Sequence, residues 1–471
     1  MTPQLENFPR TSAERIPKFM AQKLRPPVEK NDDLVVTIES LTNEGQGVAR
    51  VEGFAVFVIG ALAGEKVKAH VIKVQSTYAI AKATEILEAS PDRVRPACPV
   101  FAQCGGCTLW HLSYPAQLRQ KQLFVQDALT RLGDFASIPM QPIVGMQDPT
   151  RYRNKGSFPF GVIGNSAVFG FYAERSHRLV PFSDCPIQDE QIVDAARRVA
   201  AWANACGVPV YDETTSEGQL RHVVARTTAE GELMVTVVTK GQLKKKEDLL
   251  SFLEDCDSVW HNENSKQTNV VFGEKFTLLS GKPVLTETIG EKRFSVSPQS
   301  FLQVNRVQTQ ALYETAREFL AAKPSETVVD AYCGVGTISL FIAEDCAHVV
   351  GIEQVAPAIE DAKANAKANN VKNAEFICGN VEDVLPRLLS RQGGVDAIVL
   401  DPPRKGCEEA ALEAIASSTA SRVVYVSCNP ATLARDCKYL AEHGFTLSAV
   451  RPVDMFPQTC HVETVVLMSR V

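Results

Sequence analysis

Three side chains late in the chain have the types and settings that methylation of an unreactive carbon requires. Cys428 closes the apolar run Arg422-Val423-Val424-Tyr425-Val426-Ser427 and is followed by Asn429-Pro430. Asp401 closes a second run, Ala397-Ile398-Val399-Leu400, and is followed by Pro402-Pro403-Arg404. Glu463 stands in Cys460-His461-Val462-Glu463-Thr464, just ahead of a last apolar run, Val465 to Met468. Carbon 5 of a uracil is too poor a nucleophile to take a methyl group unaided. A thiolate adding to carbon 6 makes an enolate whose carbon 5 attacks a sulfonium methyl. A base then removes the carbon-5 proton and the thiolate leaves. Cys428 suits the nucleophile, Glu463 the general base, and Asp401 the group that orients the polar edge of the base. Taken singly, each has a bland alternative: a small buried thiol, a loop cap and an exposed strand-end carboxylate. The elements carrying them tell against that.

From about Lys323 the pattern alternates strand, helix, strand, helix, which predicts a parallel sheet with ligands at the carboxyl ends of its strands. Thr327-Val328-Val329-Asp330-Ala331 runs into Tyr332-Cys333-Gly334-Val335-Gly336-Thr337, a strand, a glycine turn and a helix start. The next strand, His348 to Ile352, ends in Glu353, at the spacing of a ribose-binding acid. No third glycine follows the turn. That favours a nucleoside without a pyrophosphate, so S-adenosylmethionine rather than NAD. Further strands at Ala374 to Cys378, before Gly379-Asn380, and at Asp396 to Leu400 bring Asp401 to the rim; the double proline stops the strand there. The run before Cys428 brings the thiol to the same rim, with no nearby basic residue evident to activate it.

Upstream lie elements of another kind. Residues 1–30 are proline-containing and basic, which predicts a flexible tail. Short Val/Ile runs separated by glycine turns over residues 31–90 predict an OB-like β-barrel. Cys98, Cys104 and Cys107, with Gly105-Gly106 between the last two, suggest thiolate ligation of zinc or an iron–sulfur cluster, and Cys185 is the best fourth ligand. An amphipathic helix is expected over Tyr114 to Leu132. The basic and aromatic mixture Arg151-Tyr152-Arg153-Asn154-Lys155 could clamp phosphates and stack bases. Lys244-Lys245-Lys246 reads as a solvated helix start, and the alternation in Leu233 to Val238 and Asn269 to Leu279 implies an antiparallel sheet.

The chain has 471 residues, 45% apolar and 22% charged, enough for several domains with ample cores. Thirteen cysteines, several within strand or turn segments, point to metal binding or catalysis rather than a disulfide framework. No apolar run reaches the length of a membrane span and no apolar leader opens the sequence, so a cytoplasmic protein is expected. The net charge of −6 lies entirely from residue 301 onward, where 15 Lys+Arg face 21 Asp+Glu; the rest is balanced, which permits an RNA-binding surface.

Together, Val426-Ser427-Cys428-Asn429-Pro430, Leu400-Asp401-Pro402-Pro403-Arg404, His461-Val462-Glu463 and Ser300-Phe301-Leu302-Gln303-Val304-Asn305 resemble the RNA uridine-5-methyltransferase family. The resemblance implies an α/β chain: a TRAM barrel over 31–90, a central α+β iron–sulfur domain over 91–295, and a Rossmann-like catalytic domain over 296–471. It implies S-adenosylmethionine contacts from Gln303, Tyr332, Thr337, Glu353, Asn380 and Asp401, beside the glycine turn of Gly334 and Gly336. It also implies Cys428 as nucleophile, Glu463 as base, and a [4Fe–4S] cluster on Cys98, Cys104, Cys107 and Cys185. The barrel and cluster resemble the branch that modifies ribosomal RNA, so a monomer acting on a 23S rRNA uridine is expected. A transfer-RNA uridine, an exocyclic amino group, and a non-enzymatic RNA-binding module are the alternatives. Arg404, where amino-methylating enzymes usually carry an aromatic residue after Asp-Pro-Pro, speaks against the second of these.

Overall fold

The computed structural model describes residues 25–390 and 394–470, so most of the basic tail expected over 1–30 lies outside the described residues. The chain forms two compact units: one from the residues before Ser90 without Leu41–Gly45, and one from Leu41–Gly45 with Ser90 onward.

In the first unit, β1 (Asp33–Thr37), β3 (Gly47–Val51), β4 (Phe54–Ile59), β5 (Lys66–Val74) and β6 (Tyr78–Glu88) join the short β2 (Ser40–Leu41) in one sheet, ordered β1-β5-β6-β4-β3-β2. Alternation drives it: Val67, Ala69 and Val71 are buried while Lys66 and Lys68, on the opposite face, are exposed. The inward residues form their own small core.

The second unit opens with the segment carrying Cys98, Cys104 and Cys107 and with α1 (Tyr114–Arg131). A seven-stranded sheet follows, built from β7 (Lys155–Ile163), β8 (Ser166–Tyr172), β9 (Leu179–Pro181), β10 (Leu220–Thr227), β11 (Leu233–Thr239), β12 (Ser258–Glu263) and β13 (Lys275–Gly281), with α2 (Glu190–Cys206) and α3 (Lys246–Phe252) between strands. The expected antiparallel pairing is only partly found. β11 pairs antiparallel with β10 but parallel with β12, and β13 starts at Lys275 rather than near Asn269. Every residue of β11 is buried, because both faces are covered, so its alternation carried no information about a solvent side.

A hairpin, β14 (Leu285–Ile289) and β15 (Lys292–Val296), and α4 (Arg306–Leu320) lead into the catalytic sheet. It comprises β16 (Thr327–Ala331), α5 (Thr337–Ile342), β17 (His348–Glu353), α6 (Ala356–Ala368), β18 (Ala374–Cys378), α7 (Val381–Leu389), β19 (Ala397–Leu400), α8 (Glu409–Ser417), β20 (Arg422–Ser427), α9 (Pro430–Glu442), β21 (Phe445–Val453) and β22 (Glu463–Arg470). The strand order β18-β17-β16-β19-β20-β22-β21 is parallel through β20 and antiparallel at β22 and β21. Strand order reverses between β16 and β19, which opens the crevice where such sheets hold ligands. Two large apolar clusters sandwich the sheet, and Val125 and Leu129 of α1 belong to one of them, so α1 packs with the catalytic helices.

Candidate active site

The backbone brings the expected residues to one edge. β19 ends at Leu400, paired with Tyr425 of β20, so Asp401 leaves the sheet beside the end of β20. Ser427 pairs with Thr464 of β22, which sets Cys428 and Glu463 on neighbouring strand ends. Asn429 does more than stop the strand. Its side chain accepts from the Ala431 amide at 3.1 Å as the N-cap of α9, and Pro430, which lacks an amide hydrogen, takes the first helical position.

An open-mouthed cavity of about 1550 Å³ lies beside this edge. Gln303, Tyr332, Gly334, Thr337, Glu353 and Asp401 all line it. Gly336 and Asn380 do not. Gly336 (φ +81°) starts α5, and a Cβ there would sit 3.2 Å from Ala362 and Phe376, so only glycine fits the turn. Asn380 precedes α7 and its amide donates to Asp383 at 3.1 Å. Tyr332 holds φ +70° without being glycine, a strained conformation at the floor of a ligand cavity. One Glu353 oxygen accepts from the Val355 amide at 2.8 Å. Beneath the turn, Asp330 is buried and bonded to Ser339, and burial pushes its carboxyl up to about 7.

Enclosure raises both rim carboxyls. Burial, then the charge of Asp330, pushes Asp401 up to about 7. Glu463 is only 3% exposed rather than an open strand end, and burial followed by Asp401 pushes it up to about 8, with Arg404 opposing. A carboxylic acid poised near neutrality suits a group that must take a proton and give it up again. The Cys428 thiol, half-buried, is raised by burial first and then by Glu463, while Arg404 lowers it. The basic neighbour that the sequence did not reveal is therefore Arg404, 24 positions upstream and brought to the thiol by the β19–β20 pairing. Its own guanidinium makes no hydrogen bond or ion pair among the described residues, which leaves it free to face the thiol and an incoming substrate.

The loop between β21 and β22, which delivers Glu463, is held from afar. Buried Lys121 and Tyr114 of α1 both bind the Asp454 carboxylate, Tyr114 at 2.8 Å. The Gln117 amide donates to the Gln458 side chain at 2.8 Å, and the Gln458 amide donates back to Gln117 at 3.0 Å. The amides of Thr108 and Leu109, directly after Cys107, donate to the Gln458 carbonyl at 3.0 and 2.9 Å. These groups lie more than 300 positions from their partners, and no spacing rule announces them.

Cys98, Cys104, Cys107 and Cys185 line one small cavity, walled by Phe101, Trp110, Phe171 and Phe182. Burial raises all four thiols, Cys107 to about 12 and Cys185 to about 11. Among the described residues no group of three or more His, Cys, Asp or Glu side chains is set to hold a metal ion.

A family profile described as tRNA (Uracil-5-)-methyltransferase matches residues 114–471, and a TRAM domain profile matches residues 27–84. The chain belongs to the tRNA (uracil-5-)-methyltransferase family. As a member it is an S-adenosylmethionine-dependent RNA (uracil-C5)-methyltransferase. It is 48% identical over 453 residues to an uncharacterized RNA methyltransferase of Halalkalibacterium halodurans, covering 95% of this chain and 99% of the relative. A relative from Clostridium tetani, also an uncharacterized RNA methyltransferase, is 43% identical over 94% of this chain and 97% of its own. The crystal structure of Pyrococcus abyssi tRNA (uracil-54, C5)-methyltransferase in complex with S-adenosyl-L-homocysteine superposes with a TM-score of 0.75 at 27% identity, over 92% of this chain and 99% of that one. Among the described residues no helix is long and apolar enough to cross a membrane.

Proposed function

We propose that this enzyme methylates carbon 5 of a 23S rRNA uridine through a covalent cysteine adduct. The observation that carries the reading is the meeting of Cys428, Glu463, Asp401 and Arg404 at one sheet edge beside the donor cavity. Cys428 Sγ adds to carbon 6 of the uracil, and the π electrons move onto carbon 5 and its carbonyl. Carbon 5 bonds to the methyl carbon as the sulfonium–methyl bond breaks and S-adenosylhomocysteine departs. Glu463 takes the carbon-5 proton, the carbon 5–carbon 6 double bond reforms, and the carbon–sulfur bond breaks. Asp401 orients the base edge, and Arg404 favours the thiolate. Gln303, Tyr332, Thr337 and Glu353 hold the donor, with Gly334 lining the same cavity. Replacing Cys428 with Ala tests the route: methylation persisting at a near-normal rate would refute it.

Cys98, Cys104, Cys107 and Cys185 would hold a [4Fe–4S] cluster, a reading supported by four thiols around one apolar cavity. The cluster would supply cohesion, since addition and elimination leave no electron to transfer. Protein purified without oxygen should contain iron and acid-labile sulfide; one zinc per chain instead would overturn this. The division at 31–90, 91–295 and 296–471 follows the barrel, the cysteine and central-sheet region, and the catalytic sheet.

A second substrate reading, a transfer-RNA uridine, is favoured by the Pyrococcus enzyme, whose chain is matched almost throughout. The overall architecture therefore does not distinguish the two RNAs. Methyl transfer to separated 23S rRNA and tRNA, each from cells lacking the enzyme, decides between them.

A further inference from the structure

The turn after Asp401 is gripped from α9, and the grip centres on Asp436. This side chain is fully buried, yet it is a carboxylate with three partners. The Tyr425 hydroxyl donates to Oδ2 at 2.7 Å, the Cys407 amide donates to the same oxygen at 2.9 Å, and Arg435 Nε donates to Oδ1 at 2.7 Å. Arg435 then reaches across, donating to the carbonyls of Lys405 at 3.0 Å and Cys407 at 3.4 Å. Between those two residues lies Gly406 (φ +81°), where a Cβ would come within 2.6 Å of both Arg435 and Asp436. The turn is thus pressed against the acid and the guanidinium, and only a glycine permits it.

The same helix start holds the residue that matters. The Asn429 side-chain amide donates to the Arg404 carbonyl at 3.1 Å, and the Thr432 hydroxyl donates to it at 3.3 Å. Asn429 directly follows Cys428, so the backbone of Arg404 is tied to the residue beside the nucleophile. Among the described residues the Arg404 side chain has no hydrogen-bond or ion-pair partner, so its backbone sets where the charge points.

We propose that Asp436 is a positioning residue: with Arg435 and Tyr425 it fixes the Pro403–Cys407 turn on α9 and thereby aims the Arg404 guanidinium at Cys428. A fully buried carboxyl group held by three partners is costly to keep for stability alone, since apolar packing can replace such groups at little loss. The groups facing the thiol are Glu463 from β22, Asp401 from the end of β19, and Arg404 from the turn; of these only Arg404 favours the ionised form. The proposal rests on Cys428 as nucleophile for its effect on turnover, but alkylation reads the thiol itself, so the two can fail separately.

The test measures carbamidomethylation of Cys428 by iodoacetamide against pH in the donor-free full-length enzyme, quantified on the Cys428 peptide by mass spectrometry, beside methyl transfer to RNA. In Asp436→Asn, the alkylation midpoint should move to higher pH, and kcat/KM for RNA should fall between about 10- and 100-fold, the scale of a misplaced charge. Arg404→Gln should shift the midpoint likewise, and the double variant should shift no further than Arg404→Gln alone. An unchanged midpoint in Asp436→Asn, or shifts that add in the double variant, would overturn the proposal. If Asp436→Asn does not yield folded protein, Gly406→Ala, which displaces the same turn from the side of the loop, decides by the same criteria. A normal alkylation shift with unaltered methylation would sink the role of Cys428 and leave the positioning intact.

Discussion

The enzyme has two settings for cysteine, and they differ in what surrounds the sulfur. Four thiols at residues 98, 104, 107 and 185 share an apolar cavity with aromatic walls, where burial and one another's charge raise them. Cys428 stands half-buried at a strand end between a carboxylic acid and a guanidinium. Thiols clustered in a dry pocket gain by ligating a shared cationic centre, whereas a lone thiol facing a crevice with a cation beside it is available to attack. On the proposed reading, the local setting would make Cys428 the nucleophile and the other four thiols ligands.

The comparison breaks most readily at the nucleophile. Cys428→Ala should lower methyl transfer by about 10⁴-fold or more while the fold stays intact, measured by label transfer to RNA beside a thermal melt. Cys107→Ser should do the opposite: iron and sulfide should be lost and the melting temperature should drop, with Cys428 still alkylated in the protein that remains folded. Equal loss of folding in both variants would mean the two settings are not distinct.

Acid–base behaviour sharpens the same contrast. Glu463 must be ionised to accept a proton, and burial pushes it up to about 8, so kcat/KM for RNA should rise at least about fifty-fold between pH 6 and 8, with the raised Cys428 thiol adding to the rise. A pH-independent rate over that range would contradict the assignment.

Much of this was legible in the sequence. Cys428 and Asp401 were placed at strand ends because apolar runs stopped by proline have few other interpretations. Glu353 followed from its distance to the glycine turn. The burial of Glu463 was not legible, because it depends on β22 returning antiparallel between β20 and β21, and a terminal apolar run does not state its direction. Arg404 could be read as a motif member but not as the neighbour of the thiol, since that is a fact of strand pairing. Lys121 looked like an ordinary polar residue on an amphipathic helix, yet it is fully buried on Asp454. Long-range polar pairs of that kind leave no periodicity behind.

A smaller effect concerns stability. Asp330, Asp401 and Glu463 bind protons more tightly in the folded enzyme than in the unfolded chain. Their contribution is therefore complete below about pH 4, the ordinary carboxyl range, and is lost as pH rises through 7 to 8. Donor-free enzyme should show a lower urea midpoint at pH 8.5 than at pH 6, and Asp401→Asn should reduce the difference. A midpoint that rises with pH in this window would show that these carboxyls ionise freely.

The covalent route is tested most directly by Glu463→Gln incubated with S-adenosylmethionine and total RNA, then run on a denaturing gel. With proton removal slowed by about 10²- to 10⁴-fold, methylated RNA should remain attached to Cys428, giving a slow band that disappears in the Cys428→Ala, Glu463→Gln double variant. Sequencing the trapped RNA would name the uridine. Absence of any RNA-linked band, with methylated RNA released at the normal rate, would contradict both the nucleophile and the base.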